Sequence, residues 1–408
     1  MLTDDVYLVP PTPGDYVSVR ALTVRGTDTD IGADLATLSR SDFGTVLAPY
    51  ASPIYGQARQ AYFEKNYPTM AARSRGVAQS FGVAQDYDCS VLGYDLPAPP
   101  PGCTVVWFPA ALTTTGRPMF GRNLDWFAGT ISSQHGLPPT PGEHGSCSRS
   151  VLTTTVPESG RTVAQLGCHD LLSPGMDGVN DAGLMIVALV DHSDRGNIGA
   201  GTAGGFSTGV SAMQLPGCVL HSASTVDEAK SVILQQSLFC PGTTNLHWFI
   251  TDESGAATVL EIDGDSRQYR FVDAVPGQPF IVTNHALHSY PTLDTFPQIP
   301  ASQEHNSFIR YRTLTAAIAA HQGKWSPADI SGLLDTVLCS YVNNATAGIA
   351  GDVPERTLWK YLADPTNRQY RFRFYQHDLD PEPNSNHVGS QFTDPIEWSL
   401  TEAALRSP

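Results

Sequence analysis

Cys103 is the residue whose surroundings most suggest chemistry. It follows Gly102 and a proline run (Pro97, Pro99, Pro100, Pro101), and it opens the apolar stretch CTVVWF. Eighteen residues further on comes GRNLDW, Gly121–Trp126. A strand, a turn and a return strand would bring Arg122 and Asp125 back beside Cys103. A thiol becomes a good nucleophile as its anion, and a nearby cation favours that anion. A carboxylate can hold an amine or a thiol in its productive state. Residue types alone leave a plainer reading open: a core cysteine with a surface arginine and a surface aspartate.

Other chemistries find less support. The chain has no G-x-S-x-G elbow, no G-x-x-x-x-G-K-[ST] loop and no H-E-x-x-H helix. Its 12 histidines are scattered, and the closest approach to metal spacing, His285 with His288, lacks a companion cluster. No metal and no cofactor are expected. Seven cysteines, an odd number without a C-x-x-C pair, argue against a disulfide scaffold or a zinc site and for a cytoplasmic protein with reduced thiols. A formal net charge of −16 argues against nucleic-acid binding as the main activity and disfavours docking on anionic membranes. No stretch reaches eighteen apolar residues, so no transmembrane helix is expected. The N-terminus, MLTDDVYLVPPTPGD, lacks the basic region and apolar run of a secretory signal.

The elements that must position these residues change character near Gly102. With 41% apolar residues over 408 positions, the chain can build a substantial core. Val24–Arg40 reads as a strand, a turn and a helix capped by Asp30, with Ile31, Leu35 and Leu38 at helical spacing. A second helical region runs from Ile54 to Gly82, broken near Pro68. The proline run forbids helix and favours extended backbone, as in a linker. Beyond it, strands are predicted at Cys103–Phe108, Pro118–Gly121, Ser150–Val156, Gly183–Val190, Leu246–Asp252, Ala257–Asp263, Pro279–Asn284, Thr357–Ala363 and Gln369–Tyr375. Helices are predicted at Val226–Gln235, capped by Thr225, and at Asn306–His321 and Ser326–Val337. Gly136–Ser150 reads as a surface loop. Long strand runs interrupted by pairs of helices indicate an α+β fold or a layered αββα one.

GCTVVW followed by GRNLDW resembles the N-terminal-nucleophile (Ntn) hydrolases of the isopenicillin-N acyltransferase and choloylglycine hydrolase type, which act on linear amides. Further blocks resemble the same group in its order. These are VRGTDTDIG from Val24, VNDAGL (Val179–Leu184), LHW (Leu246–Trp248), VTNH (Val282–His285), SFIRYR (Ser307–Arg312) and TLWKYLADPTNRQYRF, ending at Phe372. The resemblance implies a four-layer αββα sandwich. It also implies an N-terminal, mostly helical pro-segment (1–102) and a catalytic chain (103–408) that begins at Cys103 after self-cleavage of the Gly102–Cys103 bond. Gly102 suits such a cut, having no side chain to block attack and tolerating strained dihedrals. The new α-amino group would serve as base, its reference pKa of about 7.7–8.0 lying near the working pH. By the same resemblance Arg122 and Asp125 flank the nucleophile, Asn284 donates to the oxyanion, and the later arginine is Arg310 rather than Arg312.

The implied function is a self-processing cysteine amidohydrolase or acyltransferase that cleaves or transfers the acyl group of a small-molecule amide. The partner is that substrate, with no nucleic acid and no membrane; a homo-oligomer stays open. This chain departs from the bile-salt hydrolases, which carry an asparagine where Val190 or Asp191 stands. Asn180 reads as a turn residue, and His247, inside an apolar strand, as either a core histidine or a site residue. The Gly-rich loop Asp191–Ser207 could line the substrate pocket. Two other readings remain: a non-catalytic binding protein on a hydrolase scaffold, and an unprocessed cysteine peptidase with His247 or His285 as base.

Overall fold

A computed structural model describes residues 1–47, 53–84, 102–134, 137–168, 170–173, 175–192, 209–239, 245–263, 268–299, 305–340, 354–381 and 387–405. The proline run and most of the loop 191–207 lie outside these residues. The N-terminal segment forms β1 (Leu2–Val9), β2 (Ser18–Gly26), α1 (Asp28–Phe43), α2 (Pro53–Asn66) and α3 (Pro68–Phe81). From Gly102 onward come β3 (Gly102–Phe108), β4 (Met119–Phe127), the short α4 (Ile131–Gln134), β5 (Arg149–Pro157), β6 (Val163–Gly167), β7 (Asp177–Asn180) and β8 (Met185–Asp191). They are followed by β9 (Val210–Ser211), α5 (Leu215–Ser222), α6 (Val226–Leu234), β10 (Leu238–Phe239), β11 (Asn245–Thr251), β12 (Ala257–Ile262), β13 (Tyr269–Asp273) and β14 (Phe280–Val282). The last part holds α7 (Ser307–Ala320), α8 (Pro327–Asp335), β15 (Glu355–Asp364), β16 (Gln369–Pro381), β17 (Val388–Phe392), β18 (Ile396–Ser399) and α9 (Leu400–Leu405).

Two large sheets organise this mixed α/β fold. One has the order β1-β2-β5-β6-β7-β8-β11-β12-β13; the other runs β14-β3-β4-β15-β16-β17, with β18 also on β16. Pairing is antiparallel throughout both, except that β2 and β5 run parallel. Strand side chains alternate between faces. On β3 and β4, Cys103, Val105, Trp107, Phe120, Leu124 and Trp126 join the main core, together with Leu189 of β8 and Trp248 of β11. Val106, Phe108 and Met119 face the other way, against Leu314 of α7 and Ile330, Leu333 and Leu334 of α8. Across the first sheet, Leu22, Val24 and Val151 pack on Ile31 and Leu35 of α1.

Several boundaries follow from local chemistry. The helix over 28–43 is capped by Thr27, whose side chain accepts from the Asp30 N–H, so the aspartate expected to cap sits inside the first turn. Pro68 separates α2 from α3. Thr225 caps α6 as anticipated, and Asn306 and Ser326, expected as the first residues of their helices, cap α7 and α8. The N-terminal segment is less helical than expected, because β1 and β2 extend the first sheet. The expected surface loop is exposed over 137–142, but Ser146 and Cys147 are buried and β5 starts at Arg149. Among the described residues no helix is long and apolar enough to cross a membrane.

Candidate active site

The hairpin of β3 and β4 sets the geometry. Gly102 pairs with Asp125, Cys103 with Leu124, Thr104 with Asn123 and Val105 with Arg122. Directly paired residues share a face, so Cys103 and Arg122 point between the sheets while Asp125 points to the side of α7. Arg122 and Asp125 do return to the region of Cys103, but on opposite faces of its strand.

On the inner face the Arg122 guanidinium is fully buried beside the Cys103 thiol. It donates to the Asn123 and Ala188 carbonyls and, at 3.4 Å, to Asp177 Oδ2. Burial opposes its charge, but Asp177 and the thiol outweigh that and raise its pKa. Asp177 also accepts from Trp359 Nε1, and burial pushes its carboxyl up even though Arg122 works against the shift. A fixed cation beside a thiol favours the thiolate.

On the outer face three side chains surround Gly102. A Cβ built there would lie 2.9 Å from Arg310 Nη2, 3.2 Å from Asp125 Oδ2 and 3.3 Å from Asn284 Oδ1. The buried Arg310, from the first turns of α7, donates through Nη1 to the Cys103 carbonyl at 2.6 Å and to Thr104 Oγ1 at 2.8 Å. Its Nη2 donates to Asn284 Oδ1. Arg312 is exposed and sits over the Phe296 ring, so of the two arginines Arg310 is the one at Cys103.

Asn284 follows β14, the strand beside β3. Its Oδ1 accepts from the Cys103 N–H at 2.7 Å, and its Nδ2 donates to the Val190 carbonyl at 2.7 Å. Chemistry fixes this orientation, because the Cys103 N–H and Arg310 are donors and Val190 O is an acceptor. Asn284 therefore turns its carbonyl towards the Cys103 nitrogen, whereas an oxyanion donor would present its amide nitrogen. Ser307, the first residue of α7, holds the turn: its Oγ accepts from the Asn284 N–H at 2.7 Å and lies 2.8 Å from His285 Nδ1.

Asp125 is fully buried. Thr357 donates to its Oδ1 at 2.5 Å, and His305 Nε2 lies 2.9 Å from its Oδ2. Burial alone would raise this carboxyl; His305, Arg310 and Thr357 together hold it below the usual carboxylate range. Burial lowers the pKa of His305, against the pull of Asp125. With the carboxylate ionised and the imidazole neutral, Nε2 carries the proton and donates. The sequence reading missed His305, Thr357, Thr104 and Asp177. His305 stands two residues before the Ser307–Arg312 block; pairing of β15 with β4 brings Thr357 in, and packing of the two sheets brings Asp177 to Arg122.

The remaining candidates serve the framework. Asn180 forms a turn, its Oδ1 accepting from Ala182 and Leu184 and its Nδ2 donating to Leu220 and Ala223. His247 Nε2 donates to the Thr283 carbonyl at 2.8 Å, and His285 stacks on Phe308. Among the described residues, no three His, Cys, Asp or Glu side chains gather as metal ligands would.

A family model, "Linear amide C-N hydrolases, choloylglycine hydrolase family", matches residues 103–346. No curated protein matches the chain in sequence. Among solved structures, the chain is similar to a variant of conjugated bile acid hydrolase from Clostridium perfringens, at 15% identity over 72% of this chain and 97% of that one (TM-score 0.46). It is also similar to penicillin V acylase from Agrobacterium tumefaciens, at 19% identity over 67% of this chain and 82% of that one (TM-score 0.43). The chain belongs to the linear amide C–N hydrolases of the choloylglycine hydrolase family, and is an enzyme that hydrolyses linear amide bonds.

Proposed function

We propose that this chain is a self-processing cysteine amidohydrolase with the four-layer αββα arrangement of the Ntn hydrolases, matured by cutting Gly102–Cys103 into segments 1–102 and 103–408. The packing at Gly102 carries this reading: it leaves no room for a side chain among Arg310, Asp125 and Asn284. A buried cradle of two charges and an amide around one glycine has little use in a plain strand, where glycine weakens packing.

In maturation the Cys103 thiol, beside Arg122, adds to the Gly102 carbonyl carbon. The C–N bond breaks, the Cys103 nitrogen takes the thiol proton, and a thioester joins Gly102 to Sγ. Water then attacks the thioester, releasing the Gly102 carboxylate and restoring the thiol. Asn284 Oδ1 already accepts from this nitrogen and continues to hold it as an amine, while Asp125 supplies the opposing charge. The mature reaction repeats the sequence on a small-molecule amide. The α-amino group takes the thiol proton and passes it to the leaving amine, and the acyl group rests on Sγ as a thioester. Whether water or a second amine takes that group separates hydrolysis from acyl transfer. A reducing, cytoplasmic setting suits the thiols.

The test is the intact mass of the purified protein. Two chains, the larger beginning at Cys103, are expected from the wild type, and a single inactive chain from Cys103→Ala. A wild type that remains uncut and fully active would overturn the maturation step.

A further inference from the structure

We propose that His305 is a positioning residue for maturation: in the uncut chain its ring occupies the Asp125 oxygen that the new α-ammonium of Cys103 takes over after the cut. The inference deepens the self-cleavage reading above and rests on it.

Asp125 is ionised and fully buried, so each oxygen needs a donor. Thr357 serves Oδ1 and His305 serves Oδ2. Oδ2 is also the oxygen nearest Gly102, 3.2 Å from where its Cβ would stand. In the uncut chain the Cys103 nitrogen has one proton, and Asn284 takes it. Cleavage turns that nitrogen into a group with up to three protons and frees Gly102 to withdraw. Asp125 Oδ2, on the face of β3 that Gly102 leaves open, is the carboxylate oxygen offered to it there. A neutral imidazole suits a temporary donor. It satisfies the carboxylate without neutralising it, and it yields to a cation at lower cost than a charged arginine would.

His305 also touches the second charged group at the scissile glycine. Its backbone carbonyl accepts from Arg310 Nε at 3.2 Å, while its ring holds Asp125. One residue thus sets the spacing of the carboxylate and the guanidinium that frame Gly102. Its ring lies on the side of a cleft lined by Ser340, His387 and Val388, so it can swing outward when displaced.

The experiment follows self-cleavage and turnover separately in the full chain. His305→Ala should mature about tenfold to a hundredfold more slowly, the loss expected for one hydrogen bond to a charged group. Once matured by long incubation, its turnover per cleaved chain should fall by a much smaller factor than its cleavage rate, because the α-ammonium has replaced the ring at Asp125. His305→Gln, which keeps an N–H donor, should restore most of the cleavage rate. Cleavage of His305→Ala at the wild-type rate overturns the inference. So does an equal loss of cleavage and turnover that His305→Gln fails to rescue. A wild type that never cleaves instead refutes the maturation reading itself.

Discussion

At the scale of single residues, Gly102 is the sharpest constraint. A methyl group there would meet Arg310 Nη2 at 2.9 Å, and that guanidinium is pinned by bonds to the Cys103 carbonyl, Thr104 and Asn284. It cannot retreat without giving one of them up. Gly102→Ala is therefore expected to fold, at an overpacking cost of about 1–3 kcal/mol. Its self-cleavage should slow by about ten- to a hundredfold, because the strain falls on the groups around the reacting carbonyl. Mass spectrometry of the ageing protein measures the rate, and thermal unfolding measures the cost. Cleavage at the wild-type rate would show that the cradle is not what positions the bond. Much of this site was legible in sequence. Cys103, Arg122 and Asp125 lie within one hairpin, and pairing of β3 with β4 suffices to bring them together. Their division between two faces was equally implicit in the alternation of the strands. His305 and Thr357 were not legible as partners of Asp125, since each meets it from a distant element: His305 lies outside the quoted blocks, and Thr357 opens one without the block assigning it a role.

At the scale of elements, the turn that carries Asn284 is clamped from behind by a buried acid. Glu261 of β12 accepts from the Leu287 and His288 N–H groups at 2.5 and 2.9 Å and from His288 Nδ1 at 2.6 Å. His247 of β11 stands 3.7 Å from Glu261 and donates to Thr283, just before Asn284. Burial works against the Glu261 charge, but the two histidines and the backbone N–H groups bring its pKa down from 4.5 to about 2. Burial likewise opposes the charge on His247, but Glu261 and Asp191 raise its pKa above 6.5. The signs follow from linkage. The stability from Glu261 is present above pH 4.5 and is lost as the pH falls towards 2. The stability from His247 is present below pH 6.5 and is lost as the pH rises through its elevated value. Glu261→Gln would aim an amide N–H₂ at donors that need acceptors. It should cost roughly 1–3 kcal/mol near pH 6 and flatten the acid limb of the stability profile. Denaturant unfolding at a series of pH values checks this, and an unchanged acid limb would rule the clamp out. Sequence periodicity located β11 and β12 but could not show that a glutamate in the buried strand ATVLEI faces a distant turn. Short strands such as β7 and β13 escaped for a related reason: DGVN and YRFVD are too brief for alternation to register.

At the scale of the whole molecule, the segment before Cys103 is part of the fold and not an appendage. β2 lies in parallel register with β5 from Ser18–Arg149 to Gly26–Pro157, and β1 extends the same sheet. Helix α1 buries Ile31 and Leu35 against Leu22, Val24 and Val151, so apolar burial spans both sides of the proposed cut. Polar links cross it as well. Tyr16 donates to the Ser146 carbonyl at 2.7 Å, Thr45 to Asp170 at 3.0 Å and Arg59 to Gln214 at 3.2 Å. The composition change near Gly102 suggested a boundary in sequence, because helical patterning gives way to strands there. Periodicity could not show that a strand from the first segment completes a sheet of the second, since parallel pairing joins residues far apart in the chain. Cutting Gly102–Cys103 removes one covalent bond and none of these contacts. The cut protein should therefore elute as one species in native size-exclusion chromatography, with both chains in the same fractions, and separate only in denaturant. It should unfold in one cooperative transition, because neither piece keeps a complete core alone. Elution of the 1–102 segment by itself under native conditions would show that the shared sheet is too weak to hold it. The first segment would then act as a removable pro-piece and not as a permanent subunit.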